Sequence, residues 1–551
     1  MHGQRQPPDA TGILADVEAA TAPDPKRWVA LGIVAAGVAL IIIDSTIVNV
    51  ALPTIIRDLQ LGLSGAEWVN SIYSLVFAAL LIATGRFADM RGRRLVYVAG
   101  LAIFGSASIL AGLAGSGELL ILARLLQGVG GALVLPSTLS IVNATFQGRE
   151  RAAAFGVWGG TIGGMAALGP IAGGWITSSF GWRWIFLINV PLAALLIVLA
   201  LRFVRESRDP AARPTGDWLG GLSIALGLAS LVFALIEGRT YGWWTPQATF
   251  APGGVAWPSS SISPIPFAFA ISALCIAAFV LGNRARVRSG RPAFVDLGLF
   301  GRRSFGFGNL TALLVSLGEF GLLFAIPLYL QNVLGLSATE SGLILACLAV
   351  GAFVSAGGAA PLSRRIGGRG IVQIGMALEA IGLAAFALLV EPGIPAWHLI
   401  PALFVYGLGI GFATAQLTGV ILADVPVAAS GQASGIQSTS RQIGSALGVA
   451  ILGAILASVI FTQAQDNLAA RGVPAATAAR LATAMETSAG TALPEIVAAP
   501  GGAALAEPLE QAFSDATRLT GIAAALFILV GLASSFLLPR ARSDGPLPGD
   551  A

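Results

Sequence analysis

Lysine is almost missing from this chain: of 32 basic residues only Lys26 is a lysine, in a Pro-Lys-Arg run near the N-terminus. A phosphate-cradling G-x-x-x-x-G-K-[ST] loop is therefore excluded, and with it ATP hydrolysis of that kind. The two cysteines, Cys275 and Cys347, lie in separate apolar runs, which leaves no disulfide framework to expect. The two histidines, His2 and His398, lie far apart without metal-ligand spacing, so neither a metal nor another cofactor is expected. Charge is scarce as well, at 11% of 551 residues against 55% hydrophobic, with a mean hydropathy of +0.81. A soluble fold of this length cannot bury so much apolar surface, which places the chain in lipid and not on nucleic acid, despite a net charge of +4.

Apolar runs long enough to cross a bilayer, about 20 residues each, recur fourteen times between 28 and 538. The first is too long for a signal-peptide core and reads as an uncleaved helix. With a cytoplasmic N-terminus, most basic residues fall in tails and inner loops, among them Arg91, Arg93, Arg94, Arg202, Arg205, Arg284, Arg286 and Arg364. Only Arg57, Arg183, Arg239, Arg471, Arg480 and Arg518 fall outside, and Arg124 and Arg441 within spans. Dropping one helix would invert every later loop, so this asymmetry supports the count and puts both termini in the cytoplasm.

The chain also repeats itself. Gly128 and Gly130 match Gly407 and Gly409, and Gly156, Gly169 and Gly174 match Gly435, Gly448 and Gly453, all at an offset of 279. One register held through two helices and their loop is a duplication, not chance, even with 70 glycines. Near the start of each half, Gly62-Leu63-Ser64 with Glu67 matches Gly335-Leu336-Ser337 with Glu340, and Pro53 pairs with Pro327. Asp44 and Glu319 precede those prolines by nearly equal distances, about 12 Å from the outer helix end at 1.5 Å per residue. Halves repeated in one orientation place a substrate site between them near the midplane. The expected organisation is a tail over 1–27, a six-helix bundle over 28–203, two inserted helices over 218–281, a second bundle over 305–538 and a tail over 539–551. The outer connection between the inserted helices carries Trp243, Trp244 and Trp257, read as an interfacial anchor. Residues 462–517 are read as an outer loop with short amphipathic helices and no full span, serving chiefly as surface decoration.

After the second run comes Gly85-Arg86-Phe87-Ala88-Asp89-Met90-Arg91-Gly92-Arg93-Arg94, which resembles the signature loop of the major facilitator superfamily, with Phe87 and Met90 departing from it. A degenerate copy, 362–369, puts Arg364 where the acid belongs. The glycines allow a tight turn and close helix approach. Asp89 among arginines can form charge pairs present in one packing arrangement only, a latch; the blander alternative is that the arginines only fix topology. The run from Asp44 to Pro53, DSTIVNVALP, and the run from Trp182 to Pro191, WRWIFLINVP, look like markers of fourteen-helix drug:proton antiporters within that superfamily. Gly164, Gly169, Pro170, Gly173 and Gly174 match the antiporter motif of the same group. Read alone these are small-residue packing positions; the resemblance adds control of proton leak. What it implies is an all-α integral membrane protein of fourteen helices, two six-helix bundles plus two central helices. It further implies a monomer that exports hydrophobic small molecules in exchange for protons across the bacterial inner membrane.

Ions inside a span cost several kcal/mol unless paired or hydrated, which makes them functional candidates. Arg124 opens R-L-L-Q-G-V-G-G at a depth comparable to Asp44, its first candidate partner, and a purely structural ion pair is the alternative. Glu319 has no cation in its own helix, and Arg441 is a candidate for it. Glu379 is read as structural, because the corresponding helix sits at the fold's periphery. Residues 342–362 hold no acid of the kind that dication exporters of this group carry there. Two other readings stay open: export of a lipid or biosynthetic product of the host, and a receptor or scaffold that transports nothing. An enzyme is disfavoured, since no histidine cluster or paired catalytic carboxylates occur.

Overall fold

A computed structural model describes residues 26–539, apart from 147, 209–216, 251–256, 258–261, 292–294, 296 and 426–429. The expected tails lie, but for their inner ends, outside these residues, as do the side chains of Arg86, Asp89, Gly164 and Arg364. The first half runs α1 (Arg27–Leu59), α2 (Leu63–Arg91), α3 (Arg93–Gly112), α4 (Gly117–Thr145), α5 (Gly148–Phe180) and α6 (Trp184–Phe203). Then come α7 (Trp218–Tyr241) and α8 (Pro264–Arg288). The second half begins with α9 (Arg303–Asn332) and two helices within Ala338–Leu389 that meet at a kink where Gly367 leaves helical geometry. We number them α10 (Ala338–Ala359) and α11 (Arg365–Leu389). It continues with α12 (Ile400–Leu422), α13 (Ser430–Ala470), the short α14 (Ala475–Thr487) and α15 (Leu493–Ala498), and α16 (Ala506–Ser535).

No strand occurs among the described residues, and twelve helices there are long and apolar enough to cross a membrane. The expected fourteen thus has twelve members by this measure; α2 and α5, of 29 and 33 residues, pack beside them in the same bundles. The outward faces carry bare apolar side chains, Leu388 76% exposed and Leu274 70%, as lipid requires and water forbids.

The duplication is visible in the packing. A Cβ on Gly130 would meet Phe104 N at 2.8 Å and Gly100 O at 2.9 Å, so α3 and α4 touch backbone to backbone. In the second half a Cβ on Gly409 would meet the N of Glu379 and the O of Gly375, the same contact between α11 and α12. By this superposition Glu379 occupies the place of Phe104. The turn glycines agree, since Gly92 (φ 123) between α2 and α3 corresponds to Gly367 (φ 77) at the kink where α11 begins. Both lie where L side chains are strained. The matched Gly-Leu-Ser segments behave differently, however. Ser337 and Glu340 form a capping box that opens α10, whereas Glu67 is fully buried in α2.

The halves share one core at the end where α1 stops and α2 begins. There Ile47 to Val69 pack in one cluster with Ala312, Tyr329, Leu456 and Phe513. Nearer the arginine-rich end, residues 30–41, 73–81, 97–104 and 193–204 form a separate core belonging to the first half alone. Hydrogen bonds cross between halves both at the shared core and beside the first-half core, where Thr439 donates to Ala78 O (3.5 Å). Gln331 donates to Val50 O (2.8 Å), Thr339 to Gly174 O (3.1 Å), and the Ser74 and Ser445 hydroxyls meet at 3.3 Å. α7 seals the seam, its Leu228, Val232 and Ile236 packing against Leu75 of α2 and Ala446 and Ala450 of α13.

The 462–517 segment is not surface decoration. α13 runs on to Ala470, and Ala478, Ala482, Met485 and Leu493 are buried in the shared core. Asn332 at the end of α9 donates to Ala489 O (3.1 Å). Arg239 of α7 meets Glu486 of α14 at 3.2 Å and Glu67 of α2 at 3.5 Å, tying three elements together. Burial pushes the Glu486 carboxyl up from its ordinary range, and the nearby Arg239 only partly offsets this.

Candidate functional site

Asp44 sits within the first half and is completely buried. Arg124 reaches its Oδ2 from α4 at 2.6 Å, while Gln127 (3.2 Å) and Asn189 (2.8 Å) donate to Oδ1. The spacing explains the convergence: Gln127 follows Arg124 by one helical turn, so both face α1, and Asn189 begins the long arm of α6. Gln127 also donates to Ser108 Oγ of α3 (2.9 Å), and Arg124 to Gln127 Oε1 (2.9 Å) and Val69 O (3.2 Å). The Tyr73 ring lies 4.4 Å from the guanidinium carbon, a cation–π contact. Five helices thus hold one ion pair, and each carboxylate oxygen has a donor. Sequence reasoning picked out Asp44 and Arg124 but missed Gln127, Asn189 and Ser108. The first two were in plain view, in the R-L-L-Q and I-N-V-P runs.

Glu319 of α9 is 4% exposed and meets Arg441 of α13 at 3.7 Å, beyond hydrogen-bond reach; its Oε1 has no partner among the described residues. Glu379 of α11 is fully buried, and neither oxygen has a partner among the described residues. The helix is peripheral, as expected, with Ile374, Ile381 and Leu388 exposed, but Glu379 is on its inner face. Glu319, Arg441 and Glu379 lie close enough to act on one another electrostatically, and both acids act in the same way on Tyr406 of α12, whose hydroxyl has no partner among the described residues.

The antiporter-motif glycines seat α5 between the halves. A Cβ on Gly169 would strike the Thr46 side chain, two residues beyond Asp44, and one on Gly173 would come 2.8 Å from Ile47 O. Gly174 faces the other half, where a Cβ would lie 2.5 Å from Ala338 O at the start of α10, and Pro170 O backs on Gly342 in the same way. One short stretch of α5 therefore touches both the acid-bearing turn of α1 and the opposite bundle. At the arginine-rich end, Gly85 of α2 lies against Pro136 of α4, and Gly92 presses on the Glu206 carboxylate that follows α6. Glu206 accepts from Arg94 N and Leu95 N (3.0 Å each), capping α3, and pairs with the Arg94 guanidinium at 3.9 Å. Arg93 N donates to Ser207 O (3.0 Å). Sequence reasoning did not find Glu206, which sits in a polar linker without a motif.

The sequence profile of the Major Facilitator Superfamily matches residues 34–449. The chain is 33% identical over 460 residues to a probable actinorhodin transporter of Streptomyces coelicolor, covering 81% of this chain and 75% of that one. It is 31% identical over 529 residues to the tetracenomycin C resistance and export protein of Streptomyces glaucescens (95% and 94%). With the multidrug efflux pump LfrA of Mycolicibacterium smegmatis it shares 33% over 513 residues (92% and 95%). Its fold resembles a bacterial homolog of the human lysosomal transporter Spinster in an inward-facing, occupied conformation, at a TM-score of 0.60 and 18% identity, covering 94% of this chain and 97% of that one. Twin bundles joined at one end, the intramembrane ion pair and these matches agree: the chain belongs to the Major Facilitator Superfamily.

Proposed function

We propose that the protein is a proton-driven antiporter that exports hydrophobic small molecules across the bacterial inner membrane by alternating access. It works as a monomer with both termini cytoplasmic, α2 and α5 completing fourteen spans around the domains 28–203, 218–281 and 305–538. One observation carries the reading: the turn of α1 that holds Asp44 is clasped by Gly169 and Gly173 of α5, whose neighbour Gly174 abuts the other half. Protonating Asp44 removes the charge that Arg124, Gln127 and Asn189 converge on, and the resulting shift of α1 is passed through α5 to the seam. Glu319 and Arg441 make the corresponding switch in the second half. The loop around Gly85, Asp89, Gly92, Arg93 and Arg94, with Glu206, latches the arginine-rich end when the halves close there. In this arrangement the shared core closes the extracytoplasmic side, and substrate enters from the cytoplasm.

The energetics suffice. One proton moving inward gains about 2.3 kcal/mol per 100 mV, which sustains roughly a 50-fold gradient of a neutral substrate at 1.4 kcal/mol per tenfold. The test is uptake of labelled drugs into inverted vesicles with and without a pH gradient. Asp44→Asn is expected to lower gradient-driven uptake at least tenfold while counterflow at equal pH persists; unchanged driven uptake in a well-expressed variant refutes the reading. A second reading, export of a compound the cell itself makes, is favoured by the relatives named for actinorhodin and tetracenomycin C.

A further inference from the structure

We infer that Glu379 is a second proton-carrying residue of the C-terminal half, trading its proton with Glu319 under the control of Arg441. This rests on the proton-driven reading above and goes beyond it, since neither the duplication nor the motifs assign Glu379 a role.

The argument begins with what the position tolerates. Its counterpart in the first half is Phe104, so the α11–α12 contact accepts an apolar side chain of similar bulk there. A carboxyl group that is wholly buried, with neither oxygen bonded, adds nothing to stability that an apolar residue would not better. Packing therefore does not explain Glu379.

Charge does. Among the described residues, Glu319 on α9, Arg441 on α13 and Tyr406 on α12 are the ionisable groups coupled to it electrostatically, and Tyr406 packs on the same stretch of α11 at Gly382. α16 also packs on α11, with Gly531 against Met376 and Gly521 against Ala387, and the stretch 522–530 between those contacts has no ionisable side chain. The cluster thus has two carboxyls and one guanidinium. Arg441 can neutralise one carboxylate, and the other is neutral only with a proton on it. While Arg441 stays with Glu319, the proton resides on Glu379. When the O–H bond of Glu379 breaks and a new one forms on Glu319, the guanidinium loses its partner and gains another on α11. No electrons are transferred, and the proton's passage from α11 to α9 is matched by the guanidinium's opposite movement, so no net charge is displaced; the relay carries a proton when Glu319 then releases it and Glu379 takes up another. Tyr406, in the place that Gln127 takes beside Asp44, supplies a hydroxyl able to donate to whichever acid is ionised.

The test uses the full-length protein in proteoliposomes with a dye the wild type moves, chosen from ethidium, Hoechst 33342 and rhodamine 6G. Glu379→Gln and Glu379→Phe are each assayed for counterflow at equal pH, for gradient-driven accumulation and for the proton-to-dye ratio from reversal-potential measurements. The expected result is counterflow within about twofold of wild type, with the ratio lowered by one and accumulation down at least tenfold. An unchanged ratio in both variants overturns the inference, and so does loss of counterflow in both, which would make Glu379 a packing or substrate-binding residue. Failure of the underlying reading looks different: wild-type accumulation would then ignore the pH gradient, and Asp44→Asn would be silent too.

Discussion

The two halves descend from one pattern but treat their buried acids in opposite ways. In the first half, one carboxylate meets one arginine at 2.6 Å, and amide donors from α4 and α6 complete its shell. In the second, the residue matching Arg124 is Leu403, the cation comes from α13 instead, and two carboxyls share it with three oxygens left over. A saturated network holds one geometry until its charge changes, whereas an under-supplied one has several arrangements of similar energy. On the proposed reading, the first half is a switch with a defined resting position and the second a place where a proton can move.

The sharpest way to break this contrast is to give the first half the second half's residue. Arg124→Leu strips Asp44 of its cation in a fully buried site, and removing one partner of such a pair costs about 3–5 kcal/mol. Most of the protein should then fail to fold, as read by monodisperse yield and thermal unfolding in detergent; a variant that melts like wild type would show the pair to be dispensable. The reciprocal change, Arg441→Leu, should cost roughly 1 kcal/mol or less, because that pair is longer, lacks a hydrogen bond and is 27% exposed on the arginine side. Its main effect should fall on gradient-driven transport. Equal melting losses for the two variants would erase the distinction between the halves.

The smallest effect concerns the other arginine set between two acids, Arg239. Because burial raises the Glu486 carboxyl, the docked loop binds a proton more tightly than the free loop. Its docking is therefore most stable in acid and weakens as pH climbs from the ordinary carboxylate range through the raised value. Glu486→Gln should remove that slope, so wild-type melting temperature relative to the variant falls with rising pH. A rising or flat difference would mean that attraction to Arg239 outweighs burial there.

Much of this was legible in the sequence because apolar helices leave so few ions. Asp44 and Arg124 could be paired from depth alone, and the glycine register gave the two halves and their seam. Glu379 could not be read in the same way. Inward and outward faces of α11 are both apolar, one for the core and one for lipid, so periodicity says nothing about which side a lone acid faces. The docking of residues 475–498 was equally hidden, since alanine-rich segments such as Ala478 and Ala482 pack or dangle with the same composition. Glu206 escaped because it caps a helix whose donors, Arg94 N and Leu95 N, lie 112 and 111 residues earlier in the chain, and backbone donors carry no sequence mark.

Arg239 also makes the inserted hairpin and the long loop a single working part. A chain shortened by deleting α7 and α8 would strand Glu67 inside the wall of α2 and leave Glu486 without its counterion. The hairpin cannot be shed piecemeal: it and the loop must go together, with an apolar residue substituted for Glu67. One guanidinium thereby holds the hairpin and the loop to the rest of the protein.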